Sequence, residues 1–191
     1  LLLFLVIIPF WTNSLIRVYA WMSLLSPEGF INNALMALGI IRSPIRMIYS
    51  NASVILVLVY MYLPYAILPL FTTIDKFDFS LLDAARDLGA SRMESITKVM
   101  IPNIKSGITT ALTFTFIPIF GAYTVPLLVG GKDSTMIGNI IVDQVQKTRN
   151  WPLASAFSVI ITLVSLFCVV WMMSVGRKES EEKKTGNGGS L

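Results

Sequence analysis

The 191-residue sequence predicts an all-α, polytopic bundle of membrane-spanning helices, and three observations predict it. Hydrophobic residues make up 54% of the chain and charged residues 14%, with a mean hydropathy of +0.71, outside the range of soluble globular domains. The apolar residues gather in four runs, 1–25, 52–74, 107–131 and 153–175, each long enough for a helix to cross a bilayer at about 1.5 Å per residue. The basic residues sit at the ends of those runs without forming a patch, so the net charge of +4 reads as positive membrane flanks and not as a nucleic-acid surface.

The first run carries Pro9, Asn13 and Arg17. Four-residue spacing stacks them on one side of a helix, which then faces protein or a wet cavity. The other reading of Arg17 is a side chain that snorkels to the headgroups. Trp11, Tyr19 and Trp21 suit an interfacial belt. The chain opens at Leu1 inside an apolar run, without initiator Met or basic leader, and reads as part of a longer protein. Residues 26–51, punctuated by Pro27, Gly29, Gly39 and Pro44, predict a structured external loop with two short amphipathic pieces. The second run is uncharged, and Pro64 and Pro69 predict a kink towards its end.

Residues 80–102 form a polar helical stretch between apolar runs. Ser80 with Asp83, and Ser91 with Glu94, have the spacing of capping boxes. Gly89 suits a left-handed helix stop. Two short helices joined at Gly89 and ended near Pro102 are expected. Leu81, Ala84, Ala85 and Leu88 share one face of the first. A helix this short is marginal alone, so it needs something to dock against.

The third run is broken by Pro118, Gly121 and Pro126. The carbonyls such breaks free are tolerated only where protein or water satisfies them, as in a substrate path or at a packing kink. Residues 132–152 predict an amphipathic helix with Ile137, Ile140, Ile141 and Val145 on one face. Cys168, the single cysteine, reads as a small packing residue of the last run. Residues 177–191 predict a disordered tail by composition. Five basic residues between 76 and 105 and four in the tail make nine on one side, against Arg42, Arg46, Lys132, Lys147 and Arg149 on the other. The positive-inside rule therefore places the 80–102 stretch and the tail in the cytoplasm.

One cysteine and no histidine exclude a disulfide framework and a Cys/His zinc site. Gly131-Lys132 lacks the remainder of a P-loop, and no catalytic constellation is present. The four runs contain no acidic residue, which counts against an ion-driven carrier. A membrane scaffold or receptor is the other non-enzymatic class.

Asp83-Ala84-Ala85, three residues, Gly89, nine residues and Val99-Met100-Ile101-Pro102 resemble the E-A-A-x3-G-x9-I-x-L-P loop of ABC-importer membrane subunits. Asp83, Val99 and Ile101 are the departures. The resemblance implies a cytoplasmic coupling element in which Asp83, Ala84, Ala85, Arg86, Asp87, Leu88, Gly89 and Pro102 meet an ATP-hydrolysing subunit. Permeases for iron, sulfate, phosphate or molybdate share this loop. Pro9 to Arg17, Pro44-Ile-Arg46, Leu82 to Ser91, Ile137-Gly-Asn139 and Asn150-Trp-Pro152 resemble more narrowly the PotB-like permeases of spermidine/putrescine importers, over about residues 1–176. That implies a multi-pass cell-membrane permease of six spans, four of them visible. It also implies a second similar permease, two ATPase subunits and an extracytoplasmic polyamine-binding protein. ATP would be bound by the partner, and no cofactor or metal is implied. For a polycation, Trp11, Tyr60, Tyr62, Tyr65 and Tyr123, with the break at Pro118, are the candidate path residues through cation–π attraction; packing or interfacial anchoring is the other reading of these aromatics. Glu28, Asp133 and Asp143, outside the runs, are acids that could meet the ligand or its carrier.

Overall fold

The computed structural model describes residues 2–186, with side chains described over 3–174. Among them there are helices and no strand. In chain order these are α1 (Leu2–Ile7), a 3-10 turn (Ile8–Trp11), α2 (Ser14–Leu25), α3 (Phe30–Ala37), α4 (Asn51–Asp75), α5 (Ser80–Asp87) and α6 (Arg92–Glu94). A π turn (Ser95–Met100), α7 (Ile101–Phe120), α8 (Thr124–Val129), α9 (Ile137–Gln146) and α10 (Trp151–Gly186) follow. The all-α expectation holds.

Two helices, Asn51–Asp75 and Trp151–Ser174, are long and apolar enough to cross a membrane. A third crossing appears if Leu3–Trp11 and Ser14–Ala37, bent by 100°, count as one. Four spans were expected, the second kinked and the third broken by Pro118, Gly121 and Pro126, and the first and third runs are not single helices of crossing length and hydropathy. The first breaks at Thr12–Asn13, where the Asn13 side chain accepts the Leu15 amide at 2.8 Å as an N-cap. Pro9, Asn13 and Arg17 therefore do not stack on one helix. The third divides at Gly121 into α7 and α8. At 20 residues α7 has the length, but Lys105, Ser106 and four threonines lower its hydropathy. Its threonines hide their hydroxyls against the preceding turn, as Thr110 to Ser106 O and Thr113 to Thr109 O at 2.8 Å. Helix α4 runs on through Pro64 and Pro69. Helix α10 runs to Gly186, past the start of the expected tail at 177, because Arg, Lys and Glu are good helix formers. Residues 187–191 of that tail lie outside the described residues.

The chain divides into two compact units, one of residues 1–64 and 118–161, the other of 65–117 and 162–191. The first is built on helical periodicity. Val54, Val57 and Leu58 of α4, Val18 and Leu25 of α2, and Val125 and Val129 of α8 form its core, at i, i+3, i+4 or i+7 spacings that give each helix one buried stripe. Asn32, with no exposed surface, organises the loop after α3. Its amide donates to Ser26 O at 3.0 Å and Ile45 O at 2.9 Å, and its oxygen accepts the Ile45 amide at 2.9 Å. Residues 38–50 are thereby held without helix, so only one of the two expected amphipathic pieces is helical. The loop ends in Tyr49, whose φ of 62° is strained for a residue with a Cβ, at about 1–3 kcal/mol.

In the second unit Gly107 of α7 lies against Thr73 of α4; a Cβ there would stand 2.3 Å from Thr73 Oγ1. Small residues are what lets two apolar helices approach closely in a membrane, where burial against lipid supplies little drive. Most large apolar side chains of α10, including Leu163, Phe167 and Trp171, are exposed, as a lipid- or partner-facing helix requires.

Candidate functional site

Helix α5 starts from Asp78, whose Oδ1 accepts the Ser80 amide at 3.0 Å. The hydroxyl and amide of Ser80 hold the Asp78 carboxyl below its ordinary value. The expected Ser80–Asp83 box does not form: Phe79 is the cap position, with no side-chain bond, and Ser80 is already helical. Asp78-Phe-Ser is the local Asx signal that was overlooked. Asp83 instead pairs with Arg86 at 3.3 Å on the surface, a contact worth little by itself.

The end of α5 is a Schellman motif. Gly89 N–H donates to Arg86 O at 2.8 Å and Ala90 N–H to Ala85 O at 3.0 Å, with Gly89 at φ +90°, the left-handed geometry that favours glycine. Ser91 then opens α6 in a capping box with Glu94. The Ser91 amide donates to Glu94 at 3.0 Å and Lys98 Nζ pairs with its other oxygen at 3.0 Å. The Ser91 amide first, then Lys98, bring the Glu94 carboxyl down to about 2.

Pro102 does not end the second helix, and the reason is the π turn. Over Ser95–Met100 the backbone widens, and Ile101 N–H reaches Ile96 O. Pro102 is the second residue of α7, directly after the π turn, and the helix continues through it. Below it Ser95, fully buried, donates its hydroxyl to Ser91 O at 2.9 Å.

Helix α5 packs on the π turn. Leu82 is its buried residue and Ala85 is half-buried. The stripe expected to dock points outward: Leu81 and Ala84 are exposed, and Leu88 is 90% exposed. Arg86, Asp87 and Gly89 are exposed beside it, and Phe79 and Met93 add apolar surface nearby. An eight-residue helix thus keeps one leucine for its own chain and offers the rest of its apolar surface elsewhere.

The candidate path residues do not form one group. In the first unit Tyr62, Pro118 and Tyr123 line a cavity of about 210 Å³ with Ser14, Val18 and Val125. The Tyr62 hydroxyl donates to Pro118 O at 3.3 Å, so the proline break sits beside a donor. Tyr60 lies elsewhere, in an aromatic cluster with Phe10 and Trp21, both at 5.4 Å. Arg17 lies over Phe10 at 4.5 Å, with Nε and Nη1 buried and without a hydrogen-bond partner among the described residues. Its guanidinium packs on the Phe10 ring. Trp11 is 86% exposed. Tyr65 is exposed in the second unit.

Apolar helices carrying an exposed polar helix-turn-helix define a membrane protein. A family model described as "Binding-protein-dependent transport system inner membrane component" matches residues 1–177, and the chain belongs to that family of membrane proteins. It is 42% identical over 176 residues to the spermidine/putrescine transport system permease protein PotB of Salmonella typhimurium (strain SL1344), covering 91% of this chain and 61% of the relative. Against PotB of Escherichia coli (strain K12) the identity is again 42%, over 91% of this chain and 64% of the relative. The chain thus spans somewhat under two thirds of these relatives. Its fold matches a chain of a bacterial alginate ABC transporter solved in complex with an alginate-loaded periplasmic protein. There the TM-score is 0.76 at 18% identity, over 93% of this chain and 64% of that one.

Proposed function

We propose that the chain is the membrane-spanning part of a permease subunit in an ATP-driven spermidine/putrescine importer, working by alternating access. The observation that carries this reading is the 42% identity to PotB, sustained over 176 residues. The subunit performs no ATP hydrolysis itself. Two ATPase subunits bind ATP, a second similar permease completes the pathway, and an extracytoplasmic polyamine-binding protein delivers the substrate. The 80–102 element and the C-terminus face the cytoplasm.

In this reading α5 is the coupling helix. Its outward stripe of Leu81, Ala84 and Leu88 enters a groove of the ATPase, while Leu82 and the Schellman turn at Gly89 tie it rigidly to the π turn and α7. A movement of the groove is then passed to the helix instead of being absorbed by a soft joint. Asp83, Ala85, Arg86 and Asp87 complete the contact, and Pro102 marks the root of α7. The polyamine, a chain of ammonium groups, passes the π faces and hydroxyls of Tyr62 and Tyr123 at the Pro118 break. Tyr60, Trp11 and Tyr65 line other parts of the route.

The test is uptake of labelled spermidine by proteoliposomes holding the complete importer. ATP-dependent uptake that is lost without the ATPase subunit is expected. Uptake that ignores ATP and collapses with an ion gradient would overturn the proposal.

A further inference from the structure

The turn between α7 and α8 is gripped by α9, within the first unit. Pro126 has no N–H, so the Ala122 carbonyl lacks the amide that would reach back to it from four residues on. Gly121 has open space where a Cβ would stand, so it contributes no side-chain packing to the turn. The Tyr62 hydroxyl reaches Pro118 O at 3.3 Å, a long bond for a hydroxyl donor.

Helix α9 supplies a firmer hold through two adjacent residues of its first turn. Asn139, 8% exposed, donates its amide to the Tyr123 carbonyl at 2.9 Å. Its side-chain oxygen accepts the Met136 amide at 3.2 Å and so caps α9. Gly138, also buried, lies against the same turn: a Cβ there would stand 2.8 Å from Ala122 O and 2.9 Å from Gly121 O. Both atoms are backbone, so no side chain can swing aside to admit one. Gly121, Ala122 and Tyr123 are in turn part of the wall of the 210 Å³ cavity that Tyr62 and Pro118 share. Gly138 and Asn139 stand outside that lining; they hold the wall without entering the space.

We propose that Asn139 and Gly138 are positioning residues of the transport path: they fix where the Tyr123 ring stands in the cavity wall, and thereby how readily a polyamine passes the break. The inference rests on the importer reading above and adds to it two residues that touch no substrate. A bond from a buried amide is directional. Without it the Tyr123 carbonyl keeps only the Leu127 amide of its own helix, at 3.0 Å, and the turn is no longer tied to α9. Because both residues act on passage and not on delivery, their loss lowers kcat and leaves KM for the spermidine-loaded binding protein in place.

The experiment measures ATP-driven spermidine uptake by the complete importer in proteoliposomes, per assembled complex, against the concentration of loaded binding protein. Asn139→Asp separates the two bonds of the side chain. The carboxylate, kept ionised at alkaline pH, still accepts the Met136 amide in a first turn that favours an acid, but it has no proton to donate to Tyr123 O. It should keep the melting temperature and KM and lower kcat about three- to tenfold, the worth of one buried hydrogen bond. Gly138→Ala, which forces the same turn away from α9, should lower kcat in the same manner. Ile140→Ala, the next position on α9 and exposed, should keep the wild-type kcat. In a Tyr123→Ala background Asn139→Asp should cost nothing further, since it acts through that ring. Wild-type kcat in Asn139→Asp, a loss seen only in melting temperature or in the amount of assembled complex, an equal loss in Ile140→Ala, or losses that simply add in the double variant each overturn the inference and leave the importer reading intact. A wild-type importer that takes up no spermidine with ATP overturns the reading beneath it.

Discussion

Replacing Gly89 tests the proposed coupling role of the 80–102 element at the turn that ends its first helix. Gly89 has φ +90° and nothing stands within 4 Å of where its Cβ would go, so a substitution meets no steric clash and its whole effect is backbone strain. Placing an ordinary residue in the left-handed region costs about 1–2 kcal/mol, and a β-branched one is at the upper end or beyond. One to two kcal/mol is a factor of about 5–30 in a two-state population. The bonds at risk are those from Gly89 to Arg86 O and from Ala90 to Ala85 O, at 2.8 and 3.0 Å. An eight-residue helix has little reserve to replace them. Gly89→Val should therefore lower spermidine transported per ATP hydrolysed by about 5–30-fold, with Gly89→Ala intermediate. Gly89→Asn, which visits this region at small cost, should stay near wild type. The assay is simultaneous uptake and phosphate release in proteoliposomes, with the melting temperature as the control for gross unfolding. Wild-type coupling in Gly89→Val, or equal losses in the Asn and Val variants, would refute the reasoning.

Three further outcomes follow from local geometry. Gly107→Ala places a Cβ 2.5 Å from Thr73 Cβ and should cost about 1–3 kcal/mol by overpacking; detergent melting should show the drop and its recovery on adding Thr73→Gly. Asn32→Leu strands Ser26 O and both backbone groups of Ile45 at a site with no exposure, for about 1–3 kcal/mol, and proteolysis within residues 38–50 should accelerate; an unchanged cleavage rate refutes the role. Glu94, at about 2 in place of 4.5, has a depressed folded value, so its cap is intact above 4.5 and weakens as pH falls towards 2. Amide exchange over Ser91–Glu94 should increase across that window, and a Glu94→Gln variant should lack that pH dependence.

Much of this protein was legible without coordinates, for reasons that are local. Hydropathy over twenty or so residues marks helices that lipid will accept, so 52–74 and 153–175 appear as α4 and the apolar part of α10 within a few residues. The Gly89 turn and the Ser91–Glu94 box were equally readable, because each is decided by groups within five residues. What tertiary structure alone decided is which side of each helix meets protein. Leu82 is inside and Leu81 outside on adjacent positions, since hydropathy is blind to whether an apolar group faces lipid, chain or partner. The same holds for the break at Asn13 and for the π turn that carries the chain past Pro102. It holds most of all for the meetings of distant residues: Tyr62 with Pro118, Asn32 with Ile45, Tyr49 with Val129. Such contacts exist only once separate helices have packed, and no periodicity along the chain encodes them.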